Sequence, residues 1–407
     1  MTPTIGIVTA LPVEGAAVCL LINDLQSVRG VDDPNYYHCG WLPSADPSRP
    51  HQVVTTVMPR DGTRGAAAIC TDLLRSFHTV RCVVMCGIAG GIPAPEAPDR
   101  HVQLGDVVVA TEGIVDYGHV WRDDGTDTLR RPVEGMSVEL LRAARELQLA
   151  ERLGHRPWEQ WLAAPPGGFR RPDVALDLLS SGGLATERPP AGQHAGHSGY
   201  PTGMPRIHYA SVGSADQLVR DEVWRDELAS RYWIRAVEME ASGIAAGSVL
   251  HGVRWFVIRG VADYCDAMKD NLWHAYASLV AAAYLRALLA VCPNLTPASG
   301  PVIPGASSEN GRIPVADLQA IVDTLQTIPL FREDLQRQEF LAQLPDEVRT
   351  AVPYHANGRL HIIAVVRTCV RFRGGRDAFL RALRLSLADT STDLEHAEQI
   401  VAWHWPE

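Results

Sequence analysis

Three things are scarce in this sequence, and each scarcity excludes a class of protein. The eight cysteines (Cys19, Cys39, Cys70, Cys82, Cys86, Cys265, Cys292 and Cys369) form no Cys-X-X-Cys pair. They read as reduced core thiols of a cytoplasmic protein, not as a disulfide framework or a zinc site. Basic excess is missing as well: 37 Lys and Arg face 47 Asp and Glu, a formal net charge of -10. A protein that grips nucleic acid by its phosphates normally has the opposite imbalance, so nucleic acid is not an expected partner. Long apolar runs are the third absence. Met1 to Glu14 has no basic stretch leading into an apolar core, and Leu279 to Val291 is interrupted by Arg286 and short for a bilayer. No membrane segment is expected.

What is present is a strand and helix alternation. Thr4 to Ala10, Gln52 to Met58, Val80 to Cys86, Gly105 to Thr111, Ile207 to Val212 and Trp255 to Gly260 are short β-rich runs. Between and after them, Gly65 to Phe77, Ser137 to Glu151, Met239 to Leu250 and Leu272 to Cys292 have helical spacing, and Ile234 to Val237 feeds the third of these. The run ending at Cys86 enters Gly87-Ile88-Ala89-Gly90-Gly91, which reads as a tight glycine turn. Such alternation predicts an α/β fold with a mixed sheet flanked by helices, its ligands gathered at the carboxyl ends of strands. His155 to Pro205, rich in Pro, Gly and His, interrupts the pattern as a long insertion.

Composition also divides the chain. Residues 1–292 form the expected catalytic domain, 293–314 (PNLTPASGPVIPGASSENGRIP) a flexible linker, and 315–407 a small all-α domain. In the last part, Val315 to Gln326, Glu333 to Leu344, Leu360 to Phe372, Asp377 to Leu387 and Leu394 to Trp403 carry apolar residues at three and four spacing. Thr392 and Glu395 make a capping-box pattern for the final helix, and Gly374-Gly375 separates two others. This part has no polar cluster suited to catalysis and is read as an interaction module with a protein partner.

Four segments carry a resemblance when taken in order: Ile5-Gly6-Ile7-Val8-Thr9-Ala10-Leu11 with Glu14, the glycine run at 87–91, Val237-Glu238-Met239-Glu240-Ala241, and Arg259-Gly260-Val261-Ala262-Asp263. Residues 4 to about 292 resemble the purine nucleoside phosphorylase and uridine phosphorylase superfamily, most closely its methylthioadenosine/S-adenosylhomocysteine nucleosidase-like branch. Residues 315 to 404 resemble the helical effector-associated domains that couple such enzymes to bacterial conflict systems. The resemblance implies a purine nucleoside or nucleotide as substrate, homo-oligomerisation with sites near subunit interfaces, and Glu14 as general base. It also implies that Gly213 to Leu218 is the end of the base-pocket strand, where Leu218 replaces the aromatic residue often found there. Ala89 and Gly90 are further base-pocket candidates.

The chemistry can be followed from the residues. Adenine leaves poorly as an anion, so cleavage of its N-glycosidic bond calls for a proton at N7 while positive charge builds on the ribose. Asp263 is the candidate acid, its pKa expected to be raised by burial beside other carboxylates. Where 6-oxopurine enzymes of the family tend to carry Asn, an Asp suits adenine. Glu14 would activate water, Glu240 would accept bonds from the ribose hydroxyls and steady an oxocarbenium-like state, and Met239 would pack under the sugar. Each has a bland alternative: Glu14 as an exposed first-turn acid, Glu238 and Glu240 as solvated helix-start charges, Asp263 as a turn residue, Met239 as core.

Hydrolysis competes with phosphorolysis, for which family members tend to place an arginine after the first strand and a hydroxyl in the glycine run; here Glu14 and Ile88 stand there. Arg60 and Arg64, flanking Asp61-Gly62-Thr63, are candidates for gripping 5′-phosphates. His194 and His197 lack a third ligand at a convincing spacing, so no metal and no cofactor are expected. Tyr117, His119 and Trp121 could line the pocket or a subunit contact. A nucleosidase effector leads; a phosphate-dependent phosphorylase or methylthioadenosine nucleosidase, and a non-catalytic nucleoside sensor, stay open.

Overall fold

The computed structural model describes residues 2–30, 33–97, 99–123, 126–130, 133–172, 179–181, 184–186, 204–295, 315–349, 351–353, 357–370, 372, 374–387 and 391–405. These fall into two compact units, Met1–Ala298 and Ser299–Glu407. Most of the expected linker and His194 and His197 lie outside the described residues.

In the first unit the chain runs through β1 (Ile5–Thr9), α1 (Pro12–Leu21), β2 (Asn23–Arg29), β3 (Tyr36–Leu42), β4 (His51–Val57), α2 (Thr63–Ser76) and the long β5 (Cys82–Gly91). Short strands β6 (Val107–Val109) and β7 (Ile114–Asp116) and a hairpin of β8 (Val120–Asp123) with β9 (Thr126–Leu129) precede α3 (Val138–Arg152). A second hairpin, β10 (Leu179–Ser181) with β11 (Leu184–Thr186), comes before β12 (Ile207–Tyr209) and β13 (Ser211–Ser214). Then follow α4 (Glu222–Tyr232), β14 (Ile234–Glu238), α5 (Ala241–Leu250), β15 (Arg254–Asp263) and α6 (His274–Val291).

The result is the expected mixed sheet flanked by helices. Its main path is β12-β6-β15-β5-β1-β4-β3-β2. The central strands β15, β5, β1 and β4 are parallel, with Ile5 level with both Val53 and Cys82, and Arg254 level with Cys82. All five residues of β1 are buried, as are nine of the ten in β5; a strand covered on both faces needs an unbroken apolar run, which is what the sequence supplies. Near its end β5 takes a third neighbour, pairing antiparallel with β14 at Gly91↔Ala236 and Gly90↔Val237. The β13 and β7 strands extend this branch.

Several expectations are corrected. The glycine run is not a turn: 87–91 continues β5, because its glycines serve close approach by neighbouring side chains instead of a change of direction. Ile207 to Val212 is two strands, broken at Ala210, with β12 pairing β6 and β13 joining β14 and β7. The antiparallel edge of β2 and β3 went unanticipated, since polar NDLQSVR is exposed along most of its length. The start of the supposed insertion belongs to the core: Trp158 is fully buried against Tyr284, ring centroids 5.5 Å apart. The apolar run near 280 belongs to α6, an 18-residue helix long and apolar enough to cross a membrane by length and composition. Here that apolarity serves burial, since 72% of it lies inside the fold.

The second unit is helical: α7 (Val315–Thr327), α8 (Pro329–Arg332), α9 (Asp334–Ala342), α10 (Asp346–Arg349), α11 (Gly358–Val370), α12 (Gly375–Ser386) and α13 (Thr392–His404). Its core is stitched by edge-on aromatic contacts, Phe331 to Phe340 at 5.1 Å and Phe340 to Phe379 at 5.3 Å. Arg337 donates to the carbonyls of Phe331 and Arg332 at 3.0 and 2.9 Å, satisfying the end of α8. The cap of α13 is Ser391, whose hydroxyl accepts from Asp393 N at 3.2 Å, and Thr392 is already helical.

Candidate active site

A cavity of about 160 Å³ opens at the carboxyl ends of β1, β5, β14 and β15. Glu14, Glu238, Met239, Glu240 and Asp263 all line it, as do Ala89, Gly90 and Leu218. The three acids that are far apart in sequence, Glu14, Glu240 and Asp263, therefore meet around one space.

Glu14 is in the first turn of α1 and 2% exposed. One carboxylate oxygen accepts from Ala10 N and Leu11 N at 2.6 and 2.8 Å, and the other from Ile88 N at 2.7 Å. Burial pushes its pKa up, while the charge of Arg259 and these amides pull the other way. The bland reading is half right: Glu14 does cap its own helix, but as a buried group bridging two strand ends. Gly87 makes room for it, since a Cβ there would be 2.4 Å from Glu14 Oε1 and 2.7 Å from Arg259 Nη1.

Glu238 and Glu240 are 6% and 5% exposed, so they are not solvated helix-start charges. Glu238 accepts from the amides of Glu240 at 3.1 Å and Ala241 at 2.9 Å, capping α5, and is ion-paired to Arg259. Glu240 accepts from Gly62 N at 3.0 Å and lies 3.3 Å from Arg259 Nη2. Burial pushes its pKa up to about 7, with the charge of Glu238 adding to the shift and Arg259 opposing it. Three carboxylates thus share one guanidinium. Burial works against the Arg259 cation, yet Glu238, Glu240 and Glu14 outweigh that and hold its pKa above the usual range. Arg259 is fully buried. It stood inside a recognised segment, but nothing in its spacing identified it as the hub.

Asp263, 5% exposed, is arranged differently from expectation. Its Oδ1 accepts from Cys265 N at 2.9 Å, and its Oδ2 is ion-paired with Lys269, whose side chain is 21% exposed. An ammonium, not a second carboxylate, is its charged partner. Lys269 and His274 also line the cavity. Neither was found by sequence reasoning, since a lysine in a polar loop carries no motif; proximity to Asp263 would have been the only signal. The close fit extends to β5, where a Cβ on Gly90 would be 2.9 Å from Asp263 Oδ1.

Arg60 and Arg64 are exposed and do not line the cavity; Asp61 does. The segment contributes backbone instead. Gly62, with φ of 94° that only glycine adopts without strain, turns its amide to Glu240, and Thr63 Oγ1 donates to Met239 O at 3.1 Å. The N-terminus of α2 thus faces the Glu240 carboxylate, a favourable dipole arrangement. Leu218 is at the rim, 61% exposed. Tyr117 does not line the cavity but is buried in a small cluster whose Val219, Val237 and Cys265 do, and Trp121 is 61% exposed with Arg130 stacked 4.8 Å from its ring.

Residues 4–291 match the model of the Phosphorylase superfamily. The chain belongs to this superfamily. Residues 322–402 match effector-associated domain 2. Among curated relatives of this superfamily member is a nucleotide-binding leucine-rich repeat (NLR)-like protein of Hyaloscypha variabilis, 28% identical over 71% of this chain and 29% of its own length. A 5′-methylthioadenosine/S-adenosylhomocysteine nucleosidase of Mycobacterium bovis is 28% identical over 55% of this chain and 75% of its own. The ATP nucleosidase Cap17 of Escherichia coli is 26% identical over 69% of this chain and 50% of its own. The chain therefore spans under a third of the first relative and half of the third.

Proposed function

We propose that the first unit hydrolyses the N-glycosidic bond of an adenine nucleoside or nucleotide. The observation that carries this reading is the convergence of Glu14, Glu240 and Asp263 on one cavity that also holds Met239. In the proposed step, the C1′–N9 bond breaks as a water oxygen bonds to C1′. Glu14 takes the water proton, and Asp263, replenished by Lys269, passes a proton to N7 so that adenine leaves neutral. Between these, the net negative cluster around Arg259 favours the positive sugar of the transition state.

Water is favoured over phosphate as nucleophile for an electrostatic reason. The amides of Ala10, Leu11 and Ile88, which an oxyanion could have used, are already taken by Glu14. The adjacent guanidinium is committed to Glu238 and Glu240. An incoming phosphate would meet the carboxylates of Glu14, Glu238 and Glu240, which line the cavity. The cavity is also smaller than the roughly 300 Å³ at which small-molecule clefts usually begin, so a 5′-phosphate chain has to leave through its mouth.

The named relatives support both ends of the substrate class, one being a methylthioadenosine nucleosidase and one an ATP nucleosidase. The effector-associated match supports the reading of the helical unit as a partner-binding module of a bacterial conflict system. Homo-oligomer formation is part of the same proposal. The test is incubation of the protein with ATP, AMP, adenosine and methylthioadenosine with and without phosphate. Free adenine and a reducing sugar in phosphate-free buffer are expected; adenine release only when phosphate is added would overturn hydrolysis, and none under any condition would overturn catalysis.

A further inference from the structure

Behind the β14 branch lies a cleft much larger than the candidate active site, about 810 Å³, that includes Arg100, Arg152, Arg156, Arg206, Arg235 and Trp233 in its lining. Five arginines in one concavity are notable in a chain whose formal net charge is -10. Its carboxylates are Asp99, Glu112 and Glu151. Burial pushes the Glu151 pKa up to about 7, against the pull of Arg156, Arg206 and Arg152, so its charge is only partly present at neutral pH. The balance inside the cleft is positive.

The arginines differ in their commitments. Arg206 donates to the carbonyl of Asp99 at 3.3 Å, and Arg156 is 3.9 Å from Glu159. Among the described residues, Arg100, Arg152 and Arg235 form no ion pair within 4.0 Å. Arg235 is partly buried; burial and the nearby Arg100 charge lower its pKa against the pull of Glu112, and its Nη1 donates to Ile234 O at 3.2 Å. Holding like charges together in a partly desolvated wall is unfavourable until an anion enters. Trp233 stands at the edge in a left-handed conformation, φ 57°, the residue 67% exposed and the Arg100 guanidinium 5.1 Å from its ring. An aromatic plate beside planar guanidinium forks matches a ligand that carries both a flat ring and phosphates.

We infer that this cleft is a second binding site, separate from the candidate active site, for a phosphorylated ligand of the nucleotide class. The phosphate chain lies between Arg100, Arg152 and Arg235, and the base stacks on Trp233. This does not depend on the glycosidase reading, because none of these residues lines the catalytic cavity.

The test uses the full chain at low ionic strength, with calorimetric titration of inorganic tripolyphosphate and of carbocyclic ATP, whose sugar-base bond cannot be hydrolysed. Tripolyphosphate is expected to bind the parent protein, and the double variant Arg100→Gln/Arg235→Gln to bind it about tenfold or more weakly. Trp233→Ala is expected to weaken carbocyclic ATP while leaving tripolyphosphate unchanged. Should Arg235 prove structurally necessary, exposed Arg152→Gln alone is expected to weaken tripolyphosphate severalfold with unchanged thermal unfolding. Failure of the parent to bind tripolyphosphate, or equal binding by the arginine variants, would overturn the assignment. Equal loss of both ligands in Trp233→Ala would overturn the stacking half.

Discussion

The two units bury comparable things in very different proportions. In the helical unit the buried polar or charged side chains among the described residues are Arg337, His361 and Thr368, set in a core of Phe331, Phe340, Phe379 and Trp405. In the phosphorylase-superfamily unit, four carboxylates and a fully buried arginine crowd the end of one sheet. Desolvating charge is expensive, and replacing such groups by well-packed apolar ones often stabilises a protein. On the proposed function, a fold that keeps Glu14, Glu238, Glu240, Asp263 and Arg259 together tolerates that cost for chemistry. Among its described residues the helical unit buries one such charge, Arg337, which is ion-paired with Asp334.

The contrast can be tested where it should be most extreme. Asp263→Asn removes the proposed proton path while keeping the shape, and a loss of roughly 10²–10⁴ in kcat is expected. Steady-state adenine release measures it, and a variant within a factor of a few of the parent would remove Asp263 from the reaction. Glu240→Gln should cost less, about 10²–10³ in kcat. It also carries a pH signature. Because burial raises the Glu240 pKa to about 7, the parent should gain kcat/KM as pH rises through that region and the carboxylate ionises. Glu14, its pKa also raised by burial, belongs to the same cluster, so the limb belongs to both groups, and the variant should shift it.

Stability moves in the opposite direction from activity. An acid whose folded pKa lies above its unfolded value favours the folded state most below the unfolded pKa of about 4.5. That contribution is lost as pH rises toward 7, and Glu240→Gln should flatten the decline in melting temperature across this window. The smallest effect on turnover is expected from Phe379→Ala. It should cost the helical unit about 3–5 kcal/mol of stability, read by denaturant unfolding, and leave kcat for adenine release unchanged. A fall in kcat matching that at the acids would erase the distinction between the units.

The sheet was legible because buried parallel strands must be continuously apolar, and the acids because they stand in the four ordered segments that carry the family resemblance. It was less informative where a residue works through its neighbours. The glycines at 87–91 looked like punctuation because glycine usually marks turns, whereas here Gly87 leaves space for a carboxylate. Arg60 and Arg64 drew attention by charge, but the segment acts through the amide of Gly62. Lys269 and Arg259 could not be assigned at all, since pairing a cation with an acid is a three-dimensional fact. The β2 strand was missed because an exposed edge strand has no need of an apolar pattern.

The seat that Glu14 occupies has a consequence for direction. Phosphorolysis conserves a sugar phosphate from which the glycosidic bond can be rebuilt, so such a reaction runs both ways as concentrations change. With the Ala10, Leu11 and Ile88 amides taken up by the protein's own Glu14, the proposed cleavage discards that energy to solvent. On that proposal each turnover withdraws a nucleoside or nucleotide and leaves free adenine, and rebuilding the glycosidic bond falls to other enzymes.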